Sequence, residues 1–481
     1  MSYGIYYVDD YSGTDFAKIT AAINAANTAG GGKVALSNRT YIISQSIVLH
    51  KNIVFCGVGI SSAIVCSTDV PIIRIDRGNN DSSNIEIRDM LLSYPSMEST
   101  NSFHIEADRP VQLKICGVTF SGENRLYAGV LTWDASSGNR SNPIVANPDF
   151  AAFMTHIEGC CFQDASIWLN DSDSRIINNY IWGNKSGSNN LPYAIRLSNG
   201  AVNVSGNDIV PGNDCGVYIA STCQDIRVEN NYFDGSWDDV YTGWGVSVMG
   251  AARILILGNT FKNIYAGGVY IASSQQVTVS KNIFEELNRS GSTTTRYDVR
   301  ILSGANTTTG HLIEGNQHVR SRFNSQSFAV HADNNTQATV INNSLVDCRS
   351  DGSRAYVETP FTMPTNKYSI RKDNRVTSLI QQQNNNQVVV SYPYHFDEGE
   401  IAVSHNSGTQ SIYVQFADDF SAQGIIPRVQ DININFVGSA SNSAVVYSIW
   451  GLSYAGFYVA IRPVDSDSSS AGILYWRVTL Q

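Results

Sequence analysis

The chain has 481 residues, 42% of them apolar and 15% charged, which is too little charge for a disordered chain and enough apolar material for a large core. Its 32 Lys and Arg against 42 Asp and Glu give a net charge of −10. That balance argues against nucleic acid as a partner, because binding it calls for a basic surface. A long neutral or acidic polymer held by stacking and local arginines stays compatible with it.

No apolar run long enough to span a bilayer occurs, so no membrane insertion is expected. The N-terminus lacks a basic segment followed by an apolar one, so no secretory signal is read there. Eight cysteines lie mostly in apolar, strand-like runs without metal-ligand spacing, and are expected as free, buried thiols in a chain made in a reducing cytoplasm. No cofactor or metal is expected. The chain shows no nucleophilic serine motif, phosphate-binding loop or dinucleotide fingerprint. His156 and Glu158, at i and i+2, share a strand face that could pair on a metal but is expected as a solvated face; Asp171 and Asp173 have calcium-loop spacing but lack the Gly and distal Glu.

The N-terminal segment predicts one helix. Thr14 or Asp15 can cap it, Phe16, Ile19, Ile23 and Ala26 form one face, and Gly30-Gly31-Gly32 ends it. This face is expected to plug an open end of core. A repeat follows. Short alternating strands each run into an Asn flanked by apolar positions, at Asn179, Asn207, Asn231, Asn259, Asn282, Asn316 and Asn343, with spacings of 28, 24, 28, 23, 34 and 27 residues. Asn suits the left-handed backbone of a tight bend, and stacked Asn side chains can hydrogen-bond from coil to coil. No unit has room for a helix between strands, so the pattern describes a β-solenoid. The variable loop lengths point to a right-handed parallel β-helix.

A second motif interleaves with the first: Ile195 and Leu197, Val217 and Ile219, Val246 and Val248, Val269 and Ile271, and Val299 and Ile301 form inward pairs. The residue between each pair must face outward. The column reads Trp168, Arg196, Tyr218, Ser247, Tyr270, Arg300 and His331, with His104 as an upstream extension. Rungs about 4.8 Å apart make a ladder in which Tyr and Trp can stack on sugar faces and Arg can grip carboxylates. Stacked tyrosines can equally stabilise a sheet face or lie in a subunit interface.

The loops feeding these strands carry acids. Asp234 to Trp244 is the densest cluster, with Asp238 and Asp239 flanked by Trp237 and Trp244; Asn213-Asp214 belongs to the coil below, and Glu285-Glu286 and Asp298 to coils above. Glycoside hydrolysis needs one protonated and one ionised carboxyl roughly 5 to 9.5 Å apart, a range that neighbouring coils supply. Asp238, Asp239, Asp214 and Asp298 are therefore the candidate catalytic acids. Trp168, Arg196, Tyr218, Trp237, Trp244, Tyr270 and Arg300 are the candidate substrate-binding residues. Asp in Gly- and Ser-rich loops also serves as plain turn chemistry.

After about residue 350 the repeat fades. The tract from Gln381 to Gln387 reads as a linker or interchain stem, and alternating strands from Phe396 onward read as a β-sandwich. The expected organisation is all-β: a capping segment over 1–50, a parallel β-helix over 51–375, a stem over 376–395 and a C-terminal sandwich over 396–481.

The run Thr14-Asp15, Ile19, Ala22-Ile23, Gly30 to Val34 and Thr40-Tyr41-Ile42 resembles the opening of the pectate-lyase-like β-helix superfamily, with Ser37-Asn38-Arg39 where relatives often carry Pro and Gly. That superfamily contains hydrolases, lyases and transferases. Asp214 resembles the acid position of polygalacturonases, whose His-Gly and Arg-x-Lys elements are missing here. The stretches Val414 to Phe416, Ile426 to Val429 and Val446 to Trp450 resemble H-type lectin-like modules. A helix-capped β-helix followed by a small β-sandwich resembles the tailspike depolymerases of tailed bacteriophages. The resemblance implies a homotrimer on the virion tail, made in the host cytoplasm, that cuts a capsular or O-antigen-type polysaccharide. A polysaccharide lyase and a non-catalytic adhesin on the same fold are the alternatives.

Overall fold

The computed structural model describes residues 4–76, 83–94, 103–121, 129–133, 152–183, 192–235, 243–287, 296–303, 308–320, 327–333, 336–347, 361–362, 370–372, 374–380, 387–391, 398–405, 410–415, 432–438, 444–453, 456–463 and 470–478. They fall into two compact units, Met1–Thr278 and Val279–Gln481.

The first unit is a stack of coils, each laying one strand into each of three parallel sheets. In a representative coil, Tyr193–Leu197 joins sheet III, Val202–Ser205 joins sheet I and Asp208–Val210 joins sheet II, before the chain returns to sheet III at Cys215–Ile219. Register is in phase from coil to coil, so Ile195, Val217, Val246 and Val269 form one interior column. This is a parallel β-helix, and among the described residues no helix is long and apolar enough to cross a membrane.

The interior is filled by like stacked on like. On sheet II the rings of Phe120 and Phe162 stack at 4.4 Å, and those of Phe233 and Phe261 at 4.7 Å. The facing positions of sheet III must then be small. A Cβ on Gly216 would meet the Phe233 ring at 3.0 Å, and one on Gly245 would meet the Phe261 ring at 2.4 Å.

The Asn repeat has the expected hydrogen-bonding role, but the turn divides its labour differently from the sequence reading. The buried Asn of each turn is the stacked one. Asn179 donates through its backbone N–H and Nδ2 to Oδ1 of Asn207, each at 2.9 Å, and Asn207 does the same to Asn231, and Asn231 to Asn259. The left-handed residue is the one before it: Asn178 at φ +56°, Gly206 at +66°, Asn230 at +56° and Gly258 at +64°. The alternation of Asn with Gly is steric, since a Cβ on Gly206 would lie 2.6 Å from Oδ1 of Asn178.

The N-terminal helix covers Asp15–Thr28, with Thr14 as its cap accepting from the Ala17 N–H at 3.3 Å. Ile19, Ala22, Ile23 and Ala26 are its buried face, while Phe16 is only half-buried. The helix packs on the first strands of all three sheets. Arg39, in the Ser37-Asn38-Arg39 stretch, pairs with Asp9 at 2.7 Å and Asp15 at 2.9 Å and lies 3.7 Å over the Tyr41 ring, which ties this cap together. Its hydrogen bond holds the Asp9 carboxyl down to about 2.

The second unit repeats the same coil. Asn282 donates to Asn316, Asn316 to Asn343 and Asn343 to Asn374. Here too the left-handed residue precedes the stacked one, at Lys281, Gly315 and Asn342. The polar tract from Gln381 lies outside the described residues except for Gln387; the strand before it, Arg375–Ile380, pairs in parallel with Glu398–His405. From there the sheet turns antiparallel through Ser470–Val478 and Ile432–Gly438. A separate four-stranded sheet joins Gln387–Ser391, Gln410–Gln415, Gly456–Pro463 and Ala444–Ser453. Strand Glu398–His405 thus carries one of the coil's sheets on into the C-terminal strands.

Candidate functional site

The outer face of sheet III carries the predicted column in register: Trp168 beside Arg196, then Tyr218, Ser247 and Tyr270. Several strands of this sheet bend near their start, so that two consecutive residues face the interior, as in Ala194-Ile195, Gly216-Val217 and Gly245-Val246. Tyr193 and Trp244, which precede two of these pairs, are only half-buried, whereas Cys215 before the third is fully buried. Tyr193, which the sequence reading did not single out, joins the ladder there; its half-buried ring lies 4.5 Å from that of Tyr218. The bend also sets Trp244, whose ring is 5.1 Å from Tyr270.

Arg196 sits amid this group, its guanidinium 5.1 Å from the Trp168 ring and 5.8 Å from each of Tyr193 and Tyr218. Tyr218 and Tyr270 are separated by one coil bearing the small, buried Ser247, so their rings are about 10 Å apart along the stack. Trp168 contributes differently from expectation. Only 3% exposed, with Phe103 edge-on at 5.4 Å and Leu131 in the same cluster, it supports the ladder from below and offers no open face.

His104 is not a rung. The strand begins at Ile105, so alternation does not reach back to it, and Glu106 holds the ladder register instead. The fully buried His104 ring accepts the Gly129 N–H on Nδ1 at 2.8 Å, and its Nε2 lies 2.9 Å from the Ser121 carbonyl.

Of the candidate acids, Asp214 stands at the entry to this face. It is solvent-exposed, its carbonyl accepts the Trp244 N–H at 2.8 Å, and partial burial raises its carboxyl pKa. Its charge reaches the ladder: burial first, and Asp214 among the nearby charges, push both Tyr193 and Tyr218 upward, Tyr193 to about 12. Trp237, Asp238 and Asp239 lie outside the described residues.

Asp298, in the second unit, occupies the first of two consecutive interior positions, where other coils carry Ala or Gly. Its Oδ2 lies 2.9 Å from Nδ1 of His318, which takes the place held by Phe on other coils and stacks on Phe284 at 4.9 Å. This acid is therefore engaged inside the coil, only 1% exposed, rather than presented to solvent. The outer face of the same sheet in this unit carries Arg300 in register with His331, and the Arg300 guanidinium lies 4.6 Å over Tyr297. Tyr297 in turn stacks on Phe328 at 5.4 Å. Glu286 is buried.

A cleft of about 410 Å³ opens beside the ladder where sheet III strands run into their turns; Arg196, Ser198, Tyr218, Ser221, Met249 and Ser273 are among its walls. No periodic pattern in the sequence marks it, because it is built from turn residues of successive coils. Among the described residues no cluster of three or more His, Cys, Asp or Glu could hold a metal; His156 and Glu158 form a 3.4 Å pair on sheet I. Cys56, Cys66, Cys160, Cys215 and Cys223 are free and buried, and Cys116 and Cys161 are free and half-buried.

A family model described as a right-handed β-helix region matches residues 165–316. No curated protein matches the chain. Among solved structures, the A-module of the mannuronan C-5 epimerase AlgE4 of Azotobacter vinelandii is similar at 17% identity and a TM-score of 0.53, over 76% of this chain and 99% of that one. The Dettilon tailspike protein is similar at 14% identity and a TM-score of 0.51, over 98% and 94%. The tailspike protein of E. coli bacteriophage HK620, in complex with a pentasaccharide, is similar at 13% identity and a TM-score of 0.52, over 98% and 90%. What these likenesses share with this chain is the fold: it is a right-handed parallel β-helix.

Proposed function

We propose that this protein is a phage tailspike that binds and depolymerises a bacterial capsular or O-antigen-type polysaccharide along the outer face of sheet III. The observation that carries the reading is the pair of neighbouring register columns, Arg196, Tyr218 and Tyr270 in one and Tyr193 and Trp244 in the other, with Asp214 at their edge. Rings at coil spacing match the face of an extended glycan, and an acid beside them supplies chemistry. The HK620 tailspike holding a pentasaccharide on a similar fold supports a glycan ligand, and so does the similarity to a mannuronan epimerase.

Hydrolysis by two carboxylates is the mechanism proposed. Asp214, its pKa raised by partial burial, is suited to donate a proton to the leaving oxygen, with Asp238 or Asp239 of the next coil as the ionised partner. A lyase route through a tyrosine base is less suited, because burial pushes Tyr193 up to about 12, away from a phenolate. A homotrimeric, virion-tail protein goes with this reading. The test is incubation with purified capsular polysaccharide from candidate hosts. New reducing ends without ultraviolet absorbance from unsaturated uronates support the hydrolase. Absorbance identifies a lyase, and retention of intact polymer identifies an adhesin.

A further inference from the structure

The cleft next to the ladder has a chemical character of its own. None of its lining residues is acidic, in a chain of net charge −10, and the one cation is Arg196. Its floor is Ser198, only 4% exposed, whose hydroxyl has no hydrogen-bond partner within the protein. A buried hydroxyl without a protein partner is costly, so one lining a cleft offers an entering ligand a hydrogen bond. The exposed turn residues Ser221 and Ser273 add hydroxyls at the rim, and Tyr218 and Met249 give apolar walls. The turn is held tightly: Thr222 Oγ1 donates to the Ser198 carbonyl, and Gly250 at φ +75° has Ser221 where its own Cβ would stand, at 2.9 Å. The cleft volume of about 410 Å³ falls within the range of roughly 300 to 1,000 Å³ usual for ligand sites.

We infer that this cleft is a subsite for an acidic sugar, a hexuronate-type residue, at one edge of the glycan-binding face. The Arg196 guanidinium takes the carboxylate, Ser198 and the rim serines take ring hydroxyls, and the sugar face rests on Tyr218. This rests on the glycan-binding reading of sheet III and narrows it, since it makes the preferred polymer an acidic one.

The experiment titrates the full-length protein with sodium glucuronate, glucose and inorganic phosphate, followed by ligand-observed NMR. Binding of one neutral and one acidic capsular polysaccharide from the candidate hosts is measured in parallel. Glucuronate should bind at least about tenfold more tightly than glucose, the scale of a charge-assisted contact, and weaken as salt is raised. Arg196→Gln should abolish that preference, and Ser198→Ala should weaken glucuronate several-fold. Because Arg196 also touches aromatic rings, Ser221→Trp provides a second variant that fills the cleft from an exposed turn and leaves Arg196 in place; it should block glucuronate too. Equal binding of glucuronate and glucose, or no binding of glucuronate, overturns the inference. Phosphate binding as tightly as glucuronate overturns it in favour of a general anion site. If the neutral capsule binds and depends on Tyr270 while glucuronate does not bind, the subsite fails and the glycan-binding face stands. If neither capsule binds, the parent reading fails as well.

Discussion

Gly206 shows how narrowly single positions of the coil are constrained. Its φ of +66° and the 2.6 Å approach of Asn178 Oδ1 to its missing Cβ act together. Gly206→Ala should lower stability by about 1 to 2 kcal/mol from the left-handed backbone alone, with more from the clash, read as a drop in the denaturation midpoint. Asn207 accepts from two donors of Asn179 and donates onward. Asn207→Ala strands those buried groups, and at about 1 to 3 kcal/mol for each it should cost more than the glycine change. Asp171 behaves in the opposite sense to the paired acids. It is fully buried, and burial, partly offset by Thr155, Thr132 and Ser174, raises its carboxyl to about 7. The folded state therefore holds a proton that the unfolded chain releases near pH 4. Stability from this group is complete below that value and declines as pH rises through about 7. Asp171→Asn removes the penalty. Its melting temperature should exceed that of the parent progressively between pH 5 and pH 8, and an identical pH dependence in both proteins would refute the assignment.

At the scale of the element, the ladder strands separate support from recognition. Tyr218→Ala and Tyr270→Ala are expected to weaken oligosaccharide binding by about 0.5 to 1.5 kcal/mol through lost ring contact, with circular dichroism unchanged. Trp168→Ala should instead destabilise the fold by about 3 to 5 kcal/mol, as loss of a buried aromatic does, and calorimetry distinguishes the two outcomes. For the proposed chemistry, Asp214→Asn keeps size and hydrogen bonding and should reduce cleavage by about a hundredfold or more, the scale of general acid assistance. Near-normal cleavage by this variant would move the acid elsewhere. Repeat, spacing and inward pairs were legible because a strand presents alternate residues to one face. Alternation holds only inside a straight strand, however. It failed at His104, which precedes its strand, and at Asp298, the first of two consecutive interior positions; for the same reason it did not point to Tyr193.

For the whole molecule, the proposed tailspike assembly predicts a solution mass about three times 52.5 kDa, with slow unfolding and resistance to heat and detergent while the assembly persists. Light scattering that gives a stable monomer at micromolar concentration would defeat it. The sequence by itself determined the architecture, because strands too short to close a core at a fixed period can bury their apolar residues only by stacking, and the Asn at each turn marks where coil meets coil. It also determined which rungs could share the outer face of sheet III. The tertiary structure alone decided which of them are open to solvent. The bend that turns two consecutive residues inward, the burial of Trp168, the His318 that takes up Asp298 and the cleft assembled from successive turns are all products of one coil packing on the next, and no local pattern encodes a contact between residues some 25 positions apart.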